Sequence, residues 1–207
     1  MSVDAEAGLG LLPPGSEDLT PAKRRLYEVA LELFGRESYH AVSIRDIANA
    51  LGQQPSAIYF HVASKQELLF EIAIIGHRAH YERLRDGLMD AGADPADQLL
   101  AVMKAHVRQH LDYPALARLT NRELRALTPE NHAAVLAIRN QAEQIIRDVI
   151  ERGTRMGAFN PDADPFLDAR AMAAMAVRLP EWWTPESEYS REQLIDRYAR
   201  YALKLVS

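Results

Sequence analysis

Polar and aromatic side chains with hydrogen-bonding groups follow one another closely in the stretch QPSAIYFHVASKQ, which begins at Gln54. The stretch contains no acidic residue, although the whole chain carries a formal net charge of −5. A glutamine amide can pair with adenine, a serine hydroxyl with several bases, and an apolar side chain with the thymine methyl group. Neighbouring hydroxyl and basic groups can contact phosphates. These residue types are therefore suited to recognising a nucleic acid duplex.

Two short helices separated by a glycine would present these side chains. Ser43 and Asp46 form a capping-box pattern that predicts the start of the first of these helices. Ala48 stands four residues before Gly52, and Ile58 stands six residues after it. This spacing is typical of a helix-turn-helix unit, because the small alanine allows close crossing, the glycine makes the turn and the later aliphatic residue completes the shared core.

The spacing leaves several side chains of the second short helix on its outer face. We expect Gln54, Ser56 and Phe60 to be exposed there and to contact bases. The groups placed to contact phosphates are the side chains of Tyr59, His61 and Lys65 and the hydroxyl group of Ser43. The alternative interpretation is an ordinary three-helix packing whose polar face is only solvated.

The wider stretch from Thr20 to Ile72 resembles the DNA-binding domain of the tetracycline-repressor (TetR) family. The resemblance lies in LELFGRESYHAVSIRDIANALG and, after it, AIYFHVASKQELL. It implies a dimeric transcriptional regulator, usually a repressor, whose third helix enters the major groove. The positions that the family uses on DNA correspond here to Ser43, Arg45, Gln54, Ser56, Tyr59, His61 and Lys65.

Two residues depart from the family pattern within this stretch. Gln53 stands where the family usually has an aliphatic residue, and Val62 where it usually has phenylalanine. We expect both departures to loosen the small core, and we expect Gln53 to need a hydrogen-bond partner.

Helix signals recur along the rest of the chain, and no segment shows the alternation or the turn pairs of a β-hairpin. The sequence therefore predicts an all-α fold of about nine helices. We expect a disordered tail over residues 1–19 and a helix-turn-helix domain over residues 20–66. By the family resemblance, residues 67–207 form a domain that binds a ligand and dimerises.

The same resemblance implies a homodimer formed by the last two helices, residues 164–178 and 190–205. The first of these helices contains ARAMAAMAVR, which has almost no polar face and therefore needs cover on nearly every side. A subunit interface would supply that cover. The alternative is a core helix buried within one chain.

Other segments are similar to a TetR subgroup that controls lipid and steroid breakdown, namely TNRELRAL, AIRNQAEQIIRDVIERGTRMGAF and the run ending in EWW. This similarity implies an acyl-coenzyme A thioester as effector, and a multidrug-type hydrophobic ligand is the alternative. An acyl chain requires apolar walls, and the phosphates of the ligand require cations. The candidate ligand contacts are Met103, His106, Arg125, Arg139, Arg178 and Trp182, each of which could instead be an ordinary core or surface residue.

Other classes of function have less support in the sequence. The pairs His77 with His80 and His106 with His110 have a spacing that could bind zinc, but HVRQH lacks the glutamate of HExxH, and core histidines are the alternative. There is no cysteine, no catalytic set and no apolar run long enough to span a membrane. We therefore expect no enzyme and no cofactor, and a cytoplasmic protein. A helical protein–protein interaction module without DNA binding is the remaining alternative.

Overall fold

The computed structural model describes residues 10–13, 16 and 18–207 of the chain. This part of the chain is helical, as predicted, with ten α-helices, one 3-10 helix and no strand among the described residues. The α-helices are α1 (Pro21–Glu37), α2 (Ile44–Ala50), α3 (Pro55–Ile58), α4 (Lys65–Asp90), α5 (Pro95–Asp112), α6 (Pro114–Arg122), α7 (Pro129–Arg155), α8 (Pro165–Met175), α9 (Leu179–Trp182) and α10 (Arg191–Leu205), with the 3-10 helix Leu124–Ala126 following α6.

Several α-helices begin at a capping serine or at a proline. Ser43 and Ser190 each form a capping box. The serine hydroxyl accepts a hydrogen bond from the backbone N–H of the third helical residue, and the side chain of that residue accepts a hydrogen bond from the serine N–H. Prolines occupy the first positions of α1, α3, α6 and α8, where a missing N–H costs nothing.

Two predicted helices are shorter in the structure. The helical segment after Tyr113, which the sequence predicts as one helix from Pro114 to Leu127, divides into α6 and the 3-10 helix, and the helix predicted over residues 164–178 ends at Met175. In both places the backbone forms hydrogen bonds between residues three apart, as in a 3-10 helix. Examples are Ala126 N–H to Glu123 O and Leu179 N–H to Ala176 O.

The helices fall into two compact units. The first unit contains the described residues up to Ala79 together with Tyr113–Leu136, and the second contains His80–Asp112 and Ala137–Ser207. This grouping differs from the linear division at residue 66, because the long helices α4 and α7 each contribute residues to both units and α6 belongs to the first.

The first unit is organised around α1, which packs on both α2 and α6. Its core contains the fully buried side chains of Tyr27, Ile47, Ile58 and Leu68, so residues from four different helices share one apolar interior. A shared interior of this kind stabilises the short helices, which could not persist alone.

Part of the predicted disordered tail belongs to this core. Leu12 and Ser16 are buried, and Ser16 accepts a hydrogen bond from Arg24 of α1 at 3.0 Å. Gly10 lies so close to the ring of Tyr113 that a Cβ would approach one ring carbon to 2.7 Å. These contacts differ from the expected disordered tail, because Leu12 packs in the apolar core of the first unit; residues 1–9, 14, 15 and 17 lie outside the described part.

The second unit is built on the pairing of α5 with α10, with α8 and α9 packed beside them. Leu99, Met103 and Ala199 are fully buried in this unit. At the end of α5, the Asp112 carboxylate accepts hydrogen bonds from Arg83 of α4 at 2.7 Å and from Nε of Arg191 at 2.8 Å. This carboxylate therefore links three helices of the unit.

We predict that Gly153→Ala destabilises the protein by about 1–3 kcal/mol, because a Cβ there would overlap the buried ring of Phe159. Gly35→Ala is the matched control, since a Cβ at that helical position meets no atom within 4 Å. The free energy of unfolding of the control should rise by about 0.5–1 kcal/mol, because alanine has a higher helix propensity than glycine. Urea denaturation followed by circular dichroism measures both changes. Equal effects of the two substitutions would contradict this account of the α7 terminus.

Candidate nucleic-acid interface

The helix-turn-helix geometry predicted from the sequence is present between Ser43 and Ile58. Asp46 N–H donates to Ser43 Oγ at 3.2 Å, and Ser43 N–H donates to Asp46 Oδ2 at 2.8 Å. The hydrogen bond from the Ser43 side chain holds the pKa of Asp46 below its ordinary value. Gly52 has a φ of 66°, a left-handed conformation that favours glycine at this turn.

Helix α3 is a single regular turn that rests on α2. Ile58 is 1% exposed and lies in the core with Ala48, as the spacing predicted. Beyond Ile58 the chain remains helical in outline, because His61 N–H donates to Ile58 O at 2.9 Å and Val62 N–H to the same oxygen at 3.2 Å. A tightened helical segment therefore continues from the regular part of α3 to about Val62.

The expected loosening of the core stays a prediction, and the structure shows what surrounds Gln53 and Val62. Gln53 is exposed, so its side chain needs no buried partner, and its N–H donates to Ala48 O at 2.9 Å. Val62 is 3% exposed and packs in the same core as Ile58. The expectation about Gln53 was wrong because the turn places its side chain in solvent.

The side chains predicted to contact bases are exposed. Gln54 and Ser56 lie on the surface, and Phe60 is 87% exposed, more than any other large apolar side chain in the described part of the chain. Tyr59 is 55% exposed and His61 is half-buried. An exposed phenylalanine beside an exposed tyrosine is unfavourable in water, and its presence indicates a partner surface.

An open cleft of about 460 Å³ lies next to α3. Four of the predicted DNA contacts line it, namely Ser43, Arg45, Tyr59 and Lys65. The rest of the lining contains His40 and no acidic side chain. A cleft with cationic and hydroxyl groups and no carboxylate can accept an anionic group such as a DNA phosphate.

Two of the predicted phosphate contacts are already engaged in the structure. The Ser43 hydroxyl donates to Asp46 Oδ2 at 2.6 Å. The Lys65 ammonium donates to Tyr39 O at 2.9 Å and to Val42 O at 2.8 Å, and it lies 4.3 Å from the centre of the Tyr39 ring. Partial burial lowers the pKa of Lys65. No sequence signal predicted the Lys65 contacts, because they join residues more than twenty positions apart.

The candidate ligand contacts lie in different places. Met103 and His106 are buried within the second unit, and Arg139 is half-buried there with a pKa lowered by burial. In the same unit, Arg178 is exposed and pairs with Glu181 at 2.7 Å, and Trp182 is 48% exposed. The remaining candidate, at position 125, is an exposed arginine of the first unit. The ligand role of these six residues stays a prediction.

Three histidines of the second unit form a cluster that differs from the predicted pairs. His80 Nε2 lies 2.9 Å from His106 Nδ1, and the ring centres of His106 and His110 are 4.8 Å apart. His106 Nε2 lies 3.1 Å from Ala173 O, and His110 Nδ1 lies 3.0 Å from His106 O. Sequence reasoning missed His80 in this role, because the partners lie on different helices.

The carbonyl oxygens fix which ring nitrogens of this cluster carry protons. A carbonyl only accepts, so His106 Nε2 and His110 Nδ1 must both donate. Neutral His106 therefore accepts at Nδ1, and His80 donates to it from Nε2. That hydrogen bond occupies the lone pair that a metal would need, and no group of three or more potential ligands in the described part of the chain could hold a metal ion. Burial, followed by the charge of His110, lowers the pKa of His106 to about 3.

Taken together, the exposed α3 and its acid-free cleft define the class: a helix-turn-helix protein that contacts DNA. Family comparisons support the same class. Residues 26–72 match the model of bacterial regulatory proteins of the tetR family, and residues 92–206 match the model of the tetracyclin repressor-like C-terminal domain. The chain belongs to the TetR family of bacterial regulators.

Individual relatives agree with the family. The transcriptional repressor KstR2 of Mycobacterium tuberculosis is 26% identical over 86% of this chain and 89% of its own. A regulatory protein of the tetR family from Rhodococcus RHA1 is 28% identical and superposes with a TM-score of 0.86 over 91% of this chain and 98% of its own.

The solved structure of AibR with isovaleryl coenzyme A and operator DNA shares the fold, with a TM-score of 0.78, 22% identity and coverage of 86% of this chain and 96% of its own. KstR2 of M. tuberculosis, described as a ketosteroid transcriptional regulator, also shares the fold, with a TM-score of 0.82, 23% identity and coverage of 92% and 97%. The sequence similarity to the KstR2 repressors agrees with the predicted resemblance to the lipid and steroid subgroup. No helix in the described part of the chain is long and apolar enough to cross a membrane.

We predict that acid destabilises the protein through the buried histidines. The pKa of His106 in the folded state lies below the ordinary value of 6.5, so only the unfolded chain binds a proton as the pH falls from 6.5 to 5. The free energy of unfolding should fall by roughly 1.5–2 kcal/mol over that interval on account of this residue.

Urea denaturation at several pH values measures the effect, with His106→Gln as the comparison because glutamine does not titrate. We expect a weaker pH dependence in the variant. An identical pH dependence in both proteins would contradict a neutral buried His106.

Proposed function

We propose that the protein is a transcriptional repressor that binds an inverted-repeat operator as a homodimer in the cytoplasm and is released by a small apolar or acyl-coenzyme A-type ligand. The observation that carries the proposal is the exposed α3 with the acid-free cleft beside it. Base contacts from Gln54, Ser56 and Phe60 and phosphate contacts from Arg45 and Tyr59 would use this surface. Repression is proposed because the KstR2 relatives are named repressors.

Exposed apolar side chains on the last helices support the homodimer. On α8, Phe166 is 51% exposed and Leu167 is 61% exposed, and on α10 Tyr201 and Leu205 are also exposed. The alanine-rich α8 is only partly covered within one chain, because Ala169 and Met172 are buried but Ala171 and Ala174 are exposed. This pattern favours a subunit interface over the alternative of an internal core helix. An isologous interface would place two copies of α3 about one DNA turn apart or slightly more.

A ligand bound in the second unit can act on DNA binding through a helix that both units share. Helix α4 contributes residues 65–79 to the first unit and residues 80–90 to the second. The ligand shifts the equilibrium only if it binds the free and the operator-bound dimer with different affinities. The acyl-coenzyme A class is supported by the AibR complex with isovaleryl coenzyme A, and a multidrug-type hydrophobic ligand is the second candidate.

We predict that acyl-coenzyme A thioesters displace the protein from its operator, measured by fluorescence anisotropy of a labelled duplex. Free coenzyme A and the free acids are the matched controls, since each lacks one half of the ligand. Release by thioesters alone would support the proposal. Release by unrelated hydrophobic cations would favour the multidrug-type effector, and equal ligand affinity for free and operator-bound dimer would contradict ligand-controlled binding.

A further inference from the structure

The loop between α1 and α2 sets where the DNA-contacting helices begin. This entry loop, Ser38–Val42, ends one residue before the capping serine of α2. Ser38 has a φ of 75°, which is unfavourable for a residue with a Cβ. Contacts from the surroundings must therefore hold the entry loop in this conformation.

Lys65, the first residue of α4, supplies such contacts. Its ammonium donates to Tyr39 O at 2.9 Å and to Val42 O at 2.8 Å, so it bonds to the loop at two points three residues apart. The same ammonium lies over the Tyr39 ring at 4.3 Å. Tyr39 is itself fixed, since it is 6% exposed and its ring packs against Phe34 of α1 at 5.2 Å.

These contacts compete with a phosphate contact by the same group. An ammonium has three N–H donors, and two of them are used in charge-assisted hydrogen bonds to carbonyl groups. A phosphate contact by Lys65 would have to use the one remaining N–H or replace a bond to the entry loop, such as the bond to the carbonyl of Val42, which precedes Ser43. Arg45 and Tyr59 line the same cleft, and both are exposed.

We propose that Lys65 is a positioning residue for operator recognition: it fixes the entry loop, and thereby the start of α2, instead of holding a DNA phosphate. The inference rests on the proposed DNA-binding function. It goes beyond that function because it assigns to a residue of the DNA-binding face a role other than contact. The same hydrogen bonds connect the loop before α2 to the first turn of α4.

The test compares Lys65→Met, which keeps the side-chain length but removes the donors and the charge, with Arg45→Gln, which removes an exposed charge from the same cleft. Affinities are measured by anisotropy between about 50 and 200 mM salt for two duplexes: the inverted repeat that the wild-type protein enriches from a random-sequence pool, used as the operator, and a scrambled non-operator duplex. The slope of log affinity against log salt reports the number of phosphate contacts. Circular dichroism and urea denaturation establish that each variant is folded under those conditions. Wild-type operator binding in the same series tests the proposed function separately.

We expect Lys65→Met to weaken operator binding roughly 10- to 100-fold, because the released entry loop must be ordered again on binding, at a cost similar to that of lost charge-assisted hydrogen bonds. Its non-operator binding and its salt slope should match the wild type, because no phosphate contact is lost. Arg45→Gln should weaken both duplexes and reduce the salt slope by about 2 per dimer. Lys65→Gln, which keeps two N–H donors without the charge, should bind the operator more tightly than Lys65→Met.

Two results would overturn the proposal. A salt slope reduced by about 2 in Lys65→Met, with both duplexes weakened equally, would make Lys65 a phosphate contact. Unchanged operator affinity in the folded Lys65→Met variant would show that the loop contacts of Lys65 affect only the stability of the protein. If Lys65→Met does not fold, Lys65→Gln is used in its place. Weaker operator binding by Lys65→Gln, with the salt slope of the wild type, would support the positioning role.

Discussion

The burial of Ile58 against α2 is the interaction on which the DNA-contacting surface depends. Helix α3 has four residues, and a helix of that length has no stability of its own in water. It forms because Ile58 enters the core beside Ala48 and Ile47, and because the positive φ of Gly52 turns the chain toward that core. The same packing that buries Ile58 leaves Gln54, outside the core, facing solvent. The packing that forms this part of the core therefore also exposes the residues that contact DNA.

The contacts around this surface divide into those that face solvent and those that hold the structure. Phe60 and Tyr59 are exposed apolar and aromatic groups with no core role. Lys65 and the Ser43 hydroxyl, in contrast, are engaged with backbone carbonyls and with Asp46. Residue type alone does not separate the two groups, since lysine and serine are common phosphate contacts in proteins that bind DNA. The separation comes from what each side chain already bonds to.

The sequence was sufficient for features that depend on neighbours along the chain. Capping boxes, prolines at helix starts and the Ala48–Gly52–Ile58 spacing act over a few residues, and the structure contains all of them. It was insufficient where distant segments meet. Lys65 meets Tyr39 and Val42 across more than twenty residues, and His80 meets His106 across 26. The exposure of Gln53 was also missed, because a pattern of residue types does not give the direction of a side chain in a turn.

The measurement that tests the account most directly is selection of bound duplexes from a random-sequence pool, performed with the purified wild-type protein and with Gln54→Ala. The account predicts that the wild type enriches an inverted repeat, and that Gln54→Ala changes the preferred base at matching positions of both half-sites, with a cost of about 1–3 kcal/mol for a lost base contact. The folded wild-type protein enriching no sequence would contradict operator recognition by α3. The same sequence selected by both proteins would contradict the base contact assigned to Gln54.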